Sequence, residues 1–267
     1  MSAATISNQT LMSTTLDKAL SLLNHFSIQQ PEFGLSEIAR QANQDKATTR
    51  RLLLALMRNG MVEQNPETRV YTLGAELLRL AHVRESTVPI QTTIKPILEQ
   101  IATKTGETTH FSVLSGTHLV TVHRVESSHS LRVSVNYGDA LPLHCTASGL
   151  AYLAHETEEF VESIISKPLT TYTGATITDA EKLKQQIRQT RKRGFAHVIH
   201  GFEDEAEGIA AAVFSRKGFV AGAVAVVAPS SRMTVKQKVI MRDSVIQAAT
   251  ALTRAQGGIW KRAVGDD

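Results

Sequence analysis

From Leu16 onward, apolar residues return every three or four positions: Leu16, Leu20, Leu23 and Phe26, then Leu35, Ile38, Ala39 and Ala42, then Thr49, Leu52, Leu53 and Leu56. This is the period of a helix with one buried face, so the spacing predicts three short helices. Pro31 and Gly34 break the first from the second, and Asn43 and Gln44 close the second. Asp45 is placed to cap a third helix that runs from Lys46 to Asn59 and stops at Gly60. Beyond it, Met61 to Gln64 and Arg69 to Leu73 read as two strands around the turn Asn65-Pro66-Glu67-Thr68, with Arg69 near the tip. Ala75 to Arg84 forms another amphipathic helix after Gly74.

The remainder alternates helices and strands. Ile90, Ile94, Ile97, Leu98 and Ile101 mark a long helix ended by Gly106, and Thr108 to Leu114, Leu119 to Val125 and Leu131 to Val135 read as antiparallel strands. Pro142 precedes a helix of small residues that starts over His144 to Gly149 and continues through Leu153. Thr178 with Glu181 has the spacing of a capping box for a helix ended by Gly194. Ile209 to Phe214 and Val220 to Val227 form a hairpin across Arg216-Lys217-Gly218, and Thr234 with Gln237 opens the last helix. The fold class is α+β, with a small helical domain before a larger mixed one.

Placed at about 100° per residue, the third helix carries Thr49, Leu52, Leu53 and Leu56 on one side and Ala47, Thr48, Arg50, Arg51 and Arg58 on the other. Between positions 45 and 84 seven basic residues face four acids, whereas the whole chain of 267 residues is only +4. The excess therefore sits on the segment that presents a helix. Helix, turn, helix with a basic face and a two-stranded wing is the arrangement that presents side chains to a DNA major groove. Thr48, Arg50 and Arg51 are the candidates for base edges. Lys46, Arg58 and Arg69 are candidates for phosphates or the adjacent minor groove, and Ser36 for a phosphate at the start of the second helix. A rival reading makes the same unit a protein-binding module, and salt dependence discriminates the two.

Other classes are excluded or weakened. A single cysteine, Cys145, permits no intrachain disulfide and no thiolate cluster. The Ser- and Thr-rich start lacks a signal-peptide pattern, and the most apolar run, Phe219 to Pro229, is too short for the roughly 20 residues of a bilayer span, so a cytoplasmic chain with no membrane partner is expected. Cys145, His144 and Asp139 supply a nucleophile, a base and an orienting acid by type, but chain neighbours rarely face one another. No phosphate loop, His-Glu-x-x-His motif or nucleophile elbow is present, and no enzyme, catalytic residue or cofactor is expected. His197 and His200, with His123 and His144, leave three readings open: a metal site, a hydrogen bond to a ligand, or a polar patch. The i, i+3 spacing on a strand points opposite ways and weighs against metal, so none is assigned.

Leu35-Ser36-Glu37-Ile38-Ala39-Arg40, Lys46-Ala47-Thr48-Thr49-Arg50-Arg51-Leu52-Leu53, Gly60-Met61-Val62-Glu63 and Tyr71-Thr72-Leu73-Gly74 resemble the IclR family of bacterial transcription regulators. The likeness continues through Leu141-Pro142-Leu143-His144-Cys145-Thr146-Ala147-Ser148-Gly149, Thr190-Arg191-Lys192-Arg193-Gly194-Phe195 and Ile209-Ala210-Ala211-Ala212-Val213-Phe214, and covers about residues 15 to 260. The resemblance implies a flexible tail over 1–14, a winged helix-turn-helix domain over 15–73, a linker helix over 74–86 and a GAF-like effector-binding domain over 87–267. It further implies a homodimer or homotetramer on a double-stranded DNA operator, more often a repressor, answering a small-molecule effector.

Carried over residue by residue, the effector site falls on Ala147 and Ser148 at a helix start, Val198, Gly208, Ala225 and Val227, with His197 beside it. Family members that bind small keto acids carry an Asp, a Cys and two Ser where this chain has Val198, Gly208, Ala225 and Val227. Glyoxylate and pyruvate are therefore disfavoured, and a bulkier acid with apolar or aromatic character is expected, its carboxylate on the free amides of Ala147 and Ser148.

Overall fold

The structure, a computed structural model, describes residues 14–87 and 91–260. These fall into two compact units divided near position 88. The 1–14 tail lies almost wholly outside the described residues.

The first unit holds α1 (Thr15–Leu23), β1 (Glu32–Phe33), α2 (Leu35–Gln41), α3 (Lys46–Arg58), β2 (Val62–Gln64), β3 (Tyr71–Leu73) and α4 (Glu76–Thr87). Its core gathers Leu22, Phe33, Ile38, Leu52, Leu53, Leu56, Val62 and Tyr71. The face of α3 expected to pack is the buried one: Thr49, Leu52, Leu53 and Leu56. Asn43, at φ 50, makes the tight turn between α2 and α3. Two details differ from expectation. Glu32–Phe33, between the two breakers, adds a third strand to the wing, in the order β1-β3-β2. Arg69 lies outside β3, in a left-handed turn at φ 61.

The second unit holds α5 (Gln91–Thr105), β4 (Thr108–Ser115), β5 (His118–Val125), β6 (Ala140–Pro142), α6 (Ala147–Leu153), α7 (Glu158–Ile165), α8 (Ala180–Arg193), β7 (Ala196–Ile199), β8 (Ala206–Phe214), β9 (Val220–Pro229) and α9 (Val235–Ala255). The strands form one antiparallel sheet, β6-β5-β4-β9-β8-β7. One face packs on α5 and α9 through Phe111, Ile209, Ala211, Val224 and Val226, and the other on α6, α7 and α8 through Ala210, Ala223 and Ala225. The second face is made of small residues, and α6 answers with Gly149, where a Cβ would stand 2.4 Å from the Leu143 carbonyl oxygen. Helix and loop can meet this closely only because that Cβ is missing.

Three expectations fail here for local reasons. Leu131 to Val135 is not a strand: β6 pairs with β5 only over His118 to Val120, and residues 131–135 form no ladder with the remainder of it. The segment is instead held by side chains on its carbonyls: Thr108 Oγ1 donates to Val133 O (2.9 Å), Arg232 Nη1 to Leu131 O (2.7 Å), and Arg124 to Val135 O. Helix α8 is capped by Asp179, whose carboxylate accepts from Lys182 N at 2.8 Å, so the expected Thr178–Glu181 box does not form. Helix α6 starts at Ala147 with Thr146 as its cap, later than His144. Helix α7, whose buried positions are Val161, Ile164 and Ile165, was not anticipated.

Glu107 is 2% exposed and is clamped by Arg232 through two parallel bonds of 2.6 and 2.7 Å. Removing one partner strands a buried charge. Arg232→Met is expected to lower the unfolding free energy by about 3 kcal/mol in urea titrations, and adding Glu107→Leu should restore most of the loss.

Candidate functional site

Two places in the chain gather functional side chains, one in each unit. In the first, Asp45 Oδ1 accepts from Thr48 N at 2.8 Å, and Thr49 Oγ1, fully buried, donates to Asp45 O at 2.9 Å. The bond from Thr48 N–H holds the Asp45 carboxyl below the usual carboxylate range. This double tie fixes where α3 begins. The helix then presents Lys46, Arg50, Arg51 and Arg58 as exposed side chains, with Thr48 half-buried among them. Among the described residues no acid lies within ion-pair distance of these four or of Arg69, in contrast to Arg79, which is paired to Glu76. An exposed cationic face without internal partners suits a polyanion. Ser36 is exposed in the first turn of α2. Arg69 sits at the wing tip, where Asn65 Oδ1 accepts from Glu67 N and Thr68 N, and Gln64 Nε2 donates to Arg69 O at 2.8 Å. Sequence reasoning passed over Arg40, also exposed, in the last turn of α2.

In the second unit an open cavity of about 80 Å³ lies between the sheet, the start of α6 and the two loops at 133–139 and 201–203. Of the expected residues, Ala147, Ser148, Val198, Gly208 and Val227 line it. Ala225 does not: it is fully buried on the sheet face under α6. His197 does not line it either. It borders a neighbouring hollow, and its Nε2 meets Glu207 Oε2 at 2.9 Å, an oxygen shared with Lys238 Nζ at 3.0 Å.

The structure adds lining residues that the sequence did not suggest: His110 from β4, Val133 and Val135, Asp139, and Phe202 with Glu203. His110 is 3% exposed, and its Nε2 lies 3.1 Å from Ser148 Oγ. Burial pushes its imidazole down to about 4, so at neutral pH it carries no charge. The cavity thus has a deep polar pair among apolar walls and carboxylates farther out. Asp139 Oδ2 accepts from Asn136 N at 2.8 Å, and partial burial with Asp139 nearby raises the Glu203 carboxyl above its ordinary range. The only alternating-pattern signal for His110 is its place inside a predicted strand.

The other groups weighed from sequence are dispersed. His144 Nε2 donates to Thr170 O at 2.9 Å, and His200 Nε2 meets Ser230 Oγ at 2.7 Å. Among the described residues no three His, Cys, Asp or Glu side chains gather as a metal site, and no helix is long and apolar enough to cross a membrane. Burial pushes the Cys145 thiol up to about 12, which leaves it a poor nucleophile.

A sequence model of the IclR helix-turn-helix domain matches residues 15–66, and one of the bacterial transcriptional regulator IclR C-terminal domain matches residues 84–254. The chain is 30% identical to the transcriptional repressor IclR of Escherichia coli over 253 residues, covering 92% of this chain and 90% of that one. It is 29% identical to the regulator XynR of Escherichia coli over 244 residues, covering 91% and 97%. Among solved structures, an IclR-type transcriptional regulator from Silicibacter sp. superposes with a TM-score of 0.86 at 39% identity, covering 94% of this chain and 99% of that chain. An IclR homologue from Microbacterium hydrocarbonoxydans, complexed with 4-hydroxybenzoate, superposes with a TM-score of 0.72 at 26% identity, covering 91% and 100%.

One buried and one half-buried imidazole make stability depend on pH. His155, packed edge-on to Phe214 at 4.9 Å, is lowered to about 4 by burial and by Arg191, as His110 is by burial alone. The unfolded chain takes up these protons near 6.5 and the folded chain refuses them until about 4. Their stabilising neutrality is therefore complete above 6.5 and lost as pH falls. Urea unfolding should show a loss of about 1.5 kcal/mol per histidine between pH 6.5 and 5, and His155→Phe should remove about half of the combined slope.

Proposed function

The chain belongs to the IclR family of bacterial transcriptional regulators, and from that membership we propose that it is an operator-binding repressor whose DNA affinity is set by an apolar or aromatic carboxylic acid in the cavity of the second unit. It acts in the cytoplasm as a homodimer or homotetramer, and its symmetry calls for operator half-sites related by a two-fold axis.

The observation that carries the DNA half of this reading is the unpaired basic face of α3, with Asp45 fixing its first turn. Thr48, Arg50 and Arg51 enter the major groove by their position at the helix start. Lys46, Arg58 and Arg69 neutralise phosphates on either side, and Ser36 meets the phosphate at α2.

The acid reading rests on the cavity. Val133, Val135, Leu141, Val198 and Val227 give it apolar walls, the surroundings that suit a hydrocarbon body or a ring. Ser148 supplies a hydroxyl at the deep end, and the amides of Ala147 and Ser148 have no protein acceptor among the described residues. The acid group goes to that end, because Asp139 and Glu203 occupy the outer part and would repel it. The Microbacterium relative holding 4-hydroxybenzoate is a further support for an aromatic acid. Val198, Gly208 and Val227 offer nothing to the second oxygen of a small keto acid, whose polar groups would go unpaired at about 1 to 3 kcal/mol each. Coupling to DNA is then a population shift, transmitted along the covalent path through residues 74–86.

Arg50→Ala with Arg51→Ala should reduce operator affinity at least a hundredfold in gel-shift titrations while leaving the thermal unfolding profile in place. Retained affinity in the double variant would overturn the assignment of α3. Ala147→Leu, which extends three carbons into the cavity, is expected to abolish the response to acids and keep operator binding; an unchanged response would move the effector site elsewhere.

A further inference from the structure

We propose that the cavity and the hollow beside it are two chambers of one effector site, divided by the Val198 side chain, and that the effector is an elongated acid whose apolar body passes from the first chamber into the second. The inference rests on the acid-effector reading above and adds to it a second chamber and a ligand length.

The cavity alone is small for such a ligand. It holds about 80 Å³, against the roughly 300 to 1,000 Å³ of sites that bury small molecules, while the neighbouring hollow holds about 240 Å³. That hollow lies against Leu150 of α6, Gln186 of α8, Ile177 and β7. Cys145, Val198 and Gly201 line both spaces. The wall they form is thin: a Cβ on Gly201 would stand 2.6 Å from Val198 Cγ1 and 2.6 Å from the Cys145 carbonyl oxygen, so the three residues are already in contact. Gly201 is not among the glycines at positive φ, and close approach is what its position requires.

Val198 is the movable part of this wall. What it meets there is backbone, the Cys145 carbonyl and Gly201, whereas Val198 itself is a half-buried side chain on an edge strand with other staggered positions open to it. It pairs across β7 and β8 with Gly208, whose missing Cβ would lie 3.1 Å from that of Ala147. The divider therefore stands beside the start of α6, the end of the cavity to which the carboxylate is assigned. From there an apolar tail has two directions. Toward the mouth it would end in water beside Asp139 and Glu203. Toward the hollow it meets Leu150 and Ile177, and no Asp, Glu, Lys or Arg lines that space. Burial of hydrocarbon favours the second direction. Gln186, half-buried at the far wall, has no hydrogen-bond partner among the described residues, so the chamber is polar there without being charged. The ligand class is an acid of two rings, or of a ring with a chain, uncharged at its far end.

The test is calorimetric titration of the full-length protein, wild type, Gln186→Trp and Val198→Ala, with benzoate and biphenyl-4-carboxylate. Wild type should bind the two-ring acid at least tenfold more tightly than benzoate, because the second ring is buried in the second chamber. Gln186→Trp fills that chamber from its far wall and should bring the ratio of the two affinities to one or below. Val198→Ala removes the divider and should raise the ratio at least threefold. A wild type that binds benzoate and holds the two-ring acid no more tightly overturns the two-chamber site and leaves the acid reading standing. Gln186→Trp with the wild-type ratio also overturns it, and an unchanged ratio in Val198→Ala overturns the role of Val198. Should Gln186→Trp not fold, wild-type protein labelled with 13C at its isoleucine δ1 methyls decides, since Ile177 lines the hollow and not the cavity. The two-ring acid should displace the Ile177 resonance and benzoate should leave it in place; an unmoved resonance with the two-ring acid bound overturns the proposal. Failure of wild type to bind either acid overturns the acid reading and this one together.

Discussion

Strands β8 and β9 are buried on both faces, and the alanines and glycines on the side of α6 decide how near that helix can come. Gly208 lies where a Cβ would meet that of Ala147 at 3.1 Å. Larger residues there would push α6 off the sheet and fill the space that is now a cavity. The opposite face carries larger side chains, Ile209, Val224 and Val226, against α5 and α9. Both sides of the sheet are packed, but the side facing α6 carries the smaller residues, and the cavity opens there at the start of that helix. The cavity follows from that asymmetry in side-chain volume.

The same economy appears in the polar groups around it. The wall formed by residues 131–135 has no ladder bonds of its own and hangs on Thr108, Arg124 and Arg232, the last of which also neutralises Glu107. Glu207, which reaches the cavity wall, is occupied by His197 and Lys238. Farther out, Asp139 is tied by one oxygen to Asn136 N, and the Glu203 carboxyl is exposed. A cavity apolar on its walls and polar at its two ends orients a ligand as well as holding it.

Much of the fold was legible because it is written in local periodicity. The buried set of α3 follows from a 3.6-residue count, and Asp45 and Thr234 are side-chain caps of the ordinary kind. What was not legible depends on contacts distant in sequence. Leu131 to Val135 has a strand-like pattern, but its carbonyls are taken by the side chains of Thr108, Arg124 and Arg232 rather than by a neighbouring strand. The site divides in the same way. Ala147, Ser148, Val198, Gly208 and Val227 could be placed by resemblance, and they line the cavity. Ala225 has the right strand and the right face but lies under α6, and His197 is held by Glu207. His110 gave no signal, because a histidine inside a strand shows its missing partner only once the neighbouring helix is in place.

The unifying claim is that an acid in the second unit's cavity changes how the basic face of α3 meets DNA. The measurement that bears on it most directly is fluorescence anisotropy of the full-length protein on the duplex upstream of its own gene, titrated with salt and then with benzoate and 4-hydroxybenzoate. The account expects log affinity to fall steeply and linearly with log salt, with about one counterion released per phosphate contact, and one of the acids to shift the affinity at fixed salt. Salt-insensitive binding, or tight binding that no acid alters while calorimetry shows the acid bound, would contradict it.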